Sequence, residues 1–150
     1  MNDASTFPSP EVVTGKRFER SRLIRFSHCD PAGIVFYPQY FVIFNSLIED
    51  WFTAALNVSY ANLIMTRRVG VPLVRLETDF VAISRMGDEV TLGLQVQRLG
   101  TRSLSLLMDC RLGDAVRVRM RAVIVTTSLD THRAIPIPDD LRAAIERFQF

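Results

Sequence analysis

The chain has 150 residues, a length that fits one domain and excludes an enzyme with separate cofactor and substrate domains. Hydrophobic residues make up 48% and charged residues 23%, close to average globular composition, which argues against wholesale disorder. The net charge of +2 is too small for a nucleic-acid-binding footprint, so no nucleic-acid partner is expected. A binding site in so small a domain is expected to be small or shared between subunits.

The N-terminal residues predict neither export nor membrane insertion. Residues 1–16 are rich in Pro, Ser and Thr and lack the cationic and apolar regions of a signal peptide. We therefore expect a flexible tail over residues 1–16, followed by one domain over residues 17–150. No apolar stretch is long enough to span a bilayer, and the two cysteines form no disulfide framework. A cytoplasmic protein is expected.

The first half of the chain predicts one strand and two helices. Phe18, Ile24 and Phe26 share one parity, which favours a strand over residues 17–27. Apolar residues at helical spacing predict a long helix over residues 38–56, buried around most of its circumference. A short helix over residues 60–68 follows, with Ser59 as N-cap and Gly70 as terminator.

The second half alternates apolar and polar residues, which is typical of an antiparallel meander with one dry face. Four strands are predicted over residues 74–82, 90–97, 103–112 and 116–124, separated by glycine-containing turns. A terminal helix begins at Pro138. The simplest packing is an α+β fold in which the curved antiparallel sheet wraps around the long central helix.

The segment HCDPAGIVFYPQYF, residues 28–41, is the one whose pattern points to chemistry. The carboxylate of Asp30 precedes a proline–glycine turn, and an apolar stretch then leads into a helix N-terminus. Unpaired N–H groups and a partial positive charge at a helix start stabilise a developing oxyanion. Because a thioester is an activated acyl donor, one carboxylate and one oxyanion site suffice for its hydrolysis.

This segment resembles the active-site segment of the 4-hydroxybenzoyl-CoA thioesterase family of hotdog-fold enzymes. The resemblance extends from Arg17 to Phe148 and includes Met86-Gly87-Asp88-Glu89 and the stretches 100–103 and 133–138. It implies hydrolysis of an aryl- or short/medium-chain acyl-CoA to the free acid and CoA. Asp30 matches the catalytic aspartate, a nucleophile or general base. Tyr37 matches the position whose backbone N–H polarises the thioester carbonyl.

The resemblance also implies contacts and partners. Family members are homotetramers with each active site at a subunit interface, and CoA is part of the substrate, so no metal or redox cofactor is expected. The candidate substrate-binding residues are His28, Gly33, Phe36, Arg102, Ser103 and Arg133.

Two positions depart from that family and bear on the acyl group. The 4-hydroxybenzoyl enzymes have an acidic residue where Asn45 stands and threonine where Val71 stands. We therefore expect an acyl group that is less polar than 4-hydroxybenzoyl, either aryl or of medium length.

Several other interpretations stay open at this point. Asp30 is equally the residue type that forms a turn before proline, and Glu49 on the helix is a rival catalytic carboxylate. Cys29 is a weak candidate nucleophile because no partner base is identifiable. A metal site built on residues 28–30 with His132 or Cys110 matches no ligand spacing.

Other interpretations concern the function and the basic residues. A hydratase or dehydratase would need a histidine and a carboxylate in cooperation, here His28 and Asp30. A non-catalytic acyl-CoA-binding module is the remaining class. A basic row on one strand consists of Arg117, Arg119 and Arg121. It is a candidate to contact CoA phosphates or nucleic acid, and the alternative is a row that faces solvent or a second subunit.

Overall fold

The computed structural model describes residues 15–149, which form a curved antiparallel sheet with one long helix packed on it. Residues 1–14 of the expected tail lie outside the described residues. The main sheet has the strand order β1-β4-β5-β6-β3, and β2 and β7 form a separate pair. The strands are β1 Arg17–Leu23, β2 Val69–Gly70, β3 Leu73–Phe80, β4 Glu89–Leu99, β5 Ser103–Leu112, β6 Ala115–Val125 and β7 Thr127–Ser128.

The dry face of the sheet comes from the three central strands, as their alternation predicts. Every second residue of β4, β5 and β6 is buried, beginning with Val90, Leu104 and Val118. The pairing register sets these residues side by side; Met108 of β5 lies opposite Met120 of β6. Burying a side chain of this size contributes about 1.5–3 kcal/mol. The central strands and the helix therefore make one continuous core.

The central helix, α1, spans Tyr37–Asp50 and continues as a wider π-type turn over Trp51–Ala55. Its inner face is buried, and Leu47 and Trp51 are fully enclosed. The expectation of burial around most of the circumference is wrong on one side: Val42 is 63% exposed, and Asn45 is also exposed. The sheet ends at β3 and does not reach around the helix, which leaves this face uncovered.

Three other predictions need correction. The first strand ends at Leu23, and Phe26, expected on the core face, is 78% exposed in a single 3₁₀ turn. In β3, Val74 was expected to face inward but is 61% exposed, because the register shifts between Leu73 and Arg75. Gly70, which was expected to end the short helix over residues 60–68, lies in β2, and that helix ends at Met65.

The two short helices begin near their predicted starts. Helix α2 spans Tyr60–Met65, and the Ser59 side chain accepts a hydrogen bond from the Asn62 N–H, which confirms the predicted cap. Helix α3 spans Asp139–Gln149 and buries its apolar stripe. Among residues 15–149, no helix combines the length and apolarity needed to cross a membrane.

Candidate active site

Residues 28–36 form a tight hairpin that leads directly into α1. The Phe36 N–H donates to the His28 carbonyl at 3.0 Å, and the Asp30 N–H donates to the Ile34 carbonyl at 3.0 Å. These two bonds join the arms of the hairpin. Asp30 is thereby fixed relative to the chain that enters the helix.

The Asp30 side chain shapes the tip of this hairpin. Its Oδ1 accepts the Ala32 N–H at 2.9 Å, and the Gly33 N–H donates to the Asp30 carbonyl at 2.9 Å. Gly33 has a φ of +74°, a conformation that glycine adopts without strain. The turn-forming role of Asp30 is therefore real, and it uses Oδ1 of a half-buried carboxylate. The turn is compatible with a catalytic role for the same group.

The start of α1 offers a backbone donor at Tyr37. The residue before it, Phe36, is extended, and the helix has proline in its first turn. Pro38 has no N–H, and the Gln39 N–H donates to the Phe36 carbonyl at 2.8 Å. The Tyr37 N–H is therefore the first-turn donor available to a ligand, and it carries the partial positive charge of the helix start.

The side chains of the two residues before Asp30, His28 and Cys29, form hydrogen bonds with the backbone of Arg25. His28 Nδ1 accepts the Arg25 N–H at 2.9 Å, and partial burial together with the Arg25 charge lowers the pKa of His28. The lowered pKa favours the neutral imidazole, the form in which Nδ1 can accept this hydrogen bond. Desolvation and the charge of Asp30 raise the pKa of the Cys29 thiol, which disfavours the thiolate and hence a nucleophilic Cys29.

A second loop, residues 81–88, is hydrogen-bonded to the hairpin. The Val35 N–H donates to the Ser84 carbonyl, and the Met86 N–H donates to the Gly33 carbonyl, both at 2.9 Å. We call the hairpin, the helix start and this loop, residues 28–37 and 81–88, the Asp30 end. Residues 81–85 were not among the candidate site residues predicted from the sequence. The adjacent Met86-Gly87-Asp88 motif was the sequence feature that could have pointed to this loop.

Aromatic rings surround the helix start. The Tyr37 ring packs edge-on against Phe36, Phe41 and Phe80, at centroid distances of 5.4, 6.5 and 6.1 Å. Phe36 and Phe80 are about half exposed. An aryl ring can join such a group through edge-to-face contacts. Phe80 was predicted only as a strand residue.

An apolar cleft of about 380 Å³ opens between α1 and the edge strand β3. It begins at Phe41, one helical turn from Tyr37, and Asn45 is the polar member of its lining. Val71 instead borders a much smaller space beside Arg102, so only one of the two family departures faces the cleft. The lining consists of Phe41, Val42, Phe44, Asn45, Ile48, Leu73, Leu76, Met108 and Met120.

The predicted CoA contacts lie at the opposite end of the sheet. The Arg102 carbonyl accepts the Thr126 N–H at 3.0 Å, and the Arg133 carbonyl accepts the Ser128 N–H at 2.9 Å. We call residues 98–103 and 126–137 the Arg102 end. Arg102 and Arg133 are exposed there, and Ser103 is partly buried. The loop of the Asp30 end bonds to Arg117 of β6, and Thr126 at the Arg102 end lies nine positions later, roughly 30 Å along the strand.

One chain therefore unites some of the predicted residues and separates others. His28, Asp30, Gly33, Phe36 and Tyr37 share the Asp30 end, and the other three candidates do not. The rival Glu49 is exposed and lies 12 positions after Tyr37, roughly 18 Å along the helix. Within residues 15–149, no group of three or more His, Cys, Asp or Glu side chains is placed to hold a metal ion.

The sequence matches the thioesterase-like superfamily over residues 24–145. The chain belongs to this family. The predicted family and enzyme class, a thioester hydrolase, are thereby confirmed, as is the hotdog fold. The matched range includes both the Asp30 end and the Arg102 end.

Known proteins resemble the chain over most of its length. A 1,4-dihydroxy-2-naphthoyl-CoA hydrolase from Synechocystis sp. is 22% identical over 130 residues, which cover 85% of this chain and 94% of that protein. A solved gentisyl-coenzyme A thioesterase is 25% identical, with a TM-score of 0.76 and coverage of 87% and 99%. A Staphylococcus aureus protein solved in complex with CoA shares the fold, with a TM-score of 0.80, 13% identity and coverage of 89% and 84%.

Proposed function

We propose that this thioesterase-family protein hydrolyses an aryl- or short/medium-chain acyl-CoA to the free acid and CoA. The observation that carries the proposal is the hairpin that fixes Asp30 beside the start of α1, in a chain of this family. The named relatives that act on aryl-CoA thioesters support the substrate class.

In the proposed reaction, the thioester carbonyl oxygen accepts a hydrogen bond from the Tyr37 N–H, which stabilises the negative charge that develops on it. Asp30 then promotes attack on the carbonyl carbon in one of two ways. As a nucleophile, its carboxylate adds to the carbon, the C–S bond breaks, and CoA leaves as a thiolate that takes a proton from water. Water then cleaves the mixed anhydride and restores Asp30. As a general base, Asp30 instead removes a proton from a water molecule whose oxygen adds to the carbonyl carbon. The C–S bond then breaks, and the CoA thiolate that leaves takes up a proton, which restores the Asp30 carboxylate.

The acyl group would enter the apolar cleft beside α1. The cleft begins at Phe41, whose ring contacts the Tyr37 ring, so it is continuous with the helix start. Its volume of about 380 Å³ falls within the range of small-molecule sites. The apolar lining favours an acyl group with few hydroxyls, because a buried hydroxyl without a partner costs about 1–3 kcal/mol.

The CoA portion would be bound across a subunit interface in a homotetramer. Strand β3 lies at the edge of the sheet, and its Val74 and Phe80 are at least half exposed. In a twofold dimer formed by antiparallel pairing of two β3 strands, the Asp30 end of one subunit would adjoin the Arg102 end of the other. Such a dimer would bring together the Asp30 end and the Arg102 end, which lie apart in one chain, as the two halves of the proposed site.

The test is thiol release from a panel of acyl-CoA thioesters, with the wild-type protein and Asp30→Asn. Asparagine keeps an oxygen that can accept the Ala32 N–H, so the turn stays formed while the carboxylate is lost. We expect turnover of aryl- or medium-chain thioesters and loss of most of kcat in Asp30→Asn, with substrate binding retained. Asp114→Asn, in the exposed turn between β5 and β6, is the matched control and should behave as wild type.

Other outcomes would favour the alternatives. Full activity in Asp30→Asn contradicts the proposed mechanism. If activity is instead lost only in Glu49→Gln, the catalytic carboxylate is Glu49 on the helix. Hydration of an enoyl-CoA without thiol release indicates a hydratase. Tight acyl-CoA binding without turnover anywhere in the panel indicates a binding module.

A further inference from the structure

Arg117, near the start of β6, contacts both ends of loop 81–88, and the backbone of Ile24 also holds the second end. The Ile24 N–H donates to the Asp88 carbonyl and the Gly87 N–H donates to the Ile24 carbonyl, both at 2.8 Å. The Arg117 carbonyl accepts the N–H groups of residues 81 and 82 at 2.8 and 3.1 Å. Its guanidinium donates to the Ile83 carbonyl and lies 3.7 Å from Asp88 Oδ2. Arg117 therefore holds both ends of the loop.

The contact between Arg117 and Asp88 is sheltered. Their side chains are only 17% and 23% exposed, so this ion pair is less screened by solvent than a surface pair. Asp88 Oδ2 also accepts the Arg85 N–H at 2.9 Å, which fixes the middle of the loop. One guanidinium nitrogen, Nη1, lies beside both the Ile83 carbonyl and the Asp88 carboxylate. A guanidinium suits this place because it holds several donors and a permanent charge on one rigid planar group, whereas a lysine ammonium is a compact point charge on a flexible stem.

The loop in turn holds the hairpin of residues 28–36, which carries Asp30. Arg85 lies opposite Ile34 in an antiparallel bridge, and the two flanking bonds involve Val35 and Met86. Ile34 also accepts the Asp30 N–H at 3.0 Å. Three hydrogen bonds, joined through neighbouring residues of the chain, therefore connect the Arg117 guanidinium to the backbone of Asp30. They run from the guanidinium to the Ile83 carbonyl, from the Val35 N–H to the Ser84 carbonyl, and from the Asp30 N–H to the Ile34 carbonyl.

We infer that Arg117 is a positioning residue for the hydrolytic site, because it fixes the loop that fixes the hairpin carrying Asp30. The inference rests on the proposed function, since it assigns Arg117 to a reaction performed at Asp30. Arg119, two residues along β6, is an internal comparison. It is exposed and lies opposite Asp79 and Asp109 in the strand register.

The test compares Arg117→Met and Arg117→Lys with the matched control Arg119→Met in the full chain. Hydrogen exchange is measured at the Val35 and Met86 amides, and kcat and KM are measured with the best substrate of the panel. In Arg117→Met we expect the two amides to exchange about tenfold faster. We expect kcat to fall by about 10²-fold, the size of effect that a small misplacement of reacting groups produces, with KM little changed. Arg117→Lys should recover part of kcat, and Arg119→Met should match wild type.

The two proposals fail in different ways. Unchanged exchange in Arg117→Met, or a kcat equal to that of Arg119→Met, overturns the inference. Wild-type protein that hydrolyses no acyl-CoA overturns the proposed function, and faster exchange in Arg117→Met would then show a structural role alone. If Arg117→Met does not fold, Asp88→Asn weakens the same link and keeps an acceptor for the Arg85 N–H. It should show smaller changes in the same direction, and their absence would overturn the inference.

Discussion

The Asp30 end and the Arg102 end of the molecule both rest on main-chain hydrogen bonds but differ in how they hold their proposed functional groups. At the Asp30 end, the carboxylate is half-buried and bonded into the turn of the hairpin. At the Arg102 end, the side chains of Arg102 and Arg133 are exposed to solvent. The contrast fits the two proposed tasks. Bond cleavage needs reacting groups held in a fixed geometry, whereas phosphate binding needs charges that can reach their ligand.

The largest effect should come from removing the proposed oxyanion donor in Tyr37→Pro. Proline is tolerated at the first helical position, and Phe36 already has the extended backbone that a residue before proline prefers. The substitution should therefore leave α1 in place and reduce kcat by about 10²–10³-fold. The measurements are kcat and helical content by circular dichroism.

The control for this substitution is Tyr37→Leu, which keeps the N–H and removes the aromatic contacts. It should lose far less activity than Tyr37→Pro. Equal losses in the two variants would show that the ring of Tyr37, rather than its N–H, matters.

The second effect tests whether the Arg102 end binds CoA. In the double variant Arg102→Ala/Arg133→Ala, the KM for acyl-CoA should rise roughly tenfold, the effect of losing about 1.4 kcal/mol of binding. A short N-acetylcysteamine thioester has no nucleotide phosphates and should be hydrolysed as by wild type. A similar loss with both substrates would argue against phosphate binding at this end.

Mixing variants tests whether the two ends meet across an interface. Asp30→Asn lacks the proposed catalytic half of the site, and Arg102→Ala/Arg133→Ala lacks the proposed CoA-binding half. If the halves come from different subunits, random re-pairing of an equimolar mixture restores about a quarter of wild-type sites at low substrate concentration. If both halves come from the same chain, the mixture gives no more activity than the arginine variant alone.

Sequence patterns predicted the strands that have one buried and one exposed face. They missed features that depend on where a strand ends, where its register shifts and which strand lies at the edge of the sheet. Strands β4 to β6 alternate because one face is dry, so their burial follows from the order of residues. The cleft depends on β3 ending the sheet and on the register shift after Leu73, and neither is encoded in a simple alternation. Phe26 shares the parity of Ile24, yet a single 3₁₀ turn places its ring outside the core.

The same reasoning explains what was predictable about the site. Asp30, Gly33 and Tyr37 are close in sequence, so a local motif was enough to group them. The supporting role of loop 81–88 and Arg117 depends on long-range backbone pairing, which no local motif records. The separation of Arg102 from Asp30 follows from the strand order, which was not known before the structure.

The third effect concerns the cleft. Val42 is 63% exposed at its rim, so Val42→Trp should fill the cleft without disturbing the core. We expect kcat/KM for a medium-chain acyl-CoA to fall about tenfold, an effect of the size that hydrophobic pockets show toward misfitting groups. Acetyl-CoA is too short to reach the filled region and serves as the internal control. Equal effects on both substrates would place the acyl group elsewhere.

The smallest effect concerns the pH dependence of stability at His28. Burial and the Arg25 charge lower the pKa of His28 below its ordinary value of 6.5, so the folded protein binds this proton less readily than the unfolded chain. The sign of the linkage follows: the contribution is complete above about pH 6.5 and is lost as the pH falls below it. Protonation also replaces the Nδ1 acceptor for the Arg25 N–H with a donor, which weakens the turn before Asp30.

The measurement is the urea midpoint of unfolding at about pH 7.5 and about pH 5.5, on either side of the ordinary histidine pKa. His28→Asn keeps an acceptor at the same place and does not titrate, so its midpoint should fall less than that of wild type on acidification. His132→Asn leaves His28 intact and should keep the wild-type difference; asparagine also tolerates the positive φ of +58° at that position. If His28→Asn and wild type lose the same stability, the acid sensitivity belongs to other groups. His28 would then support the hairpin only as a neutral acceptor.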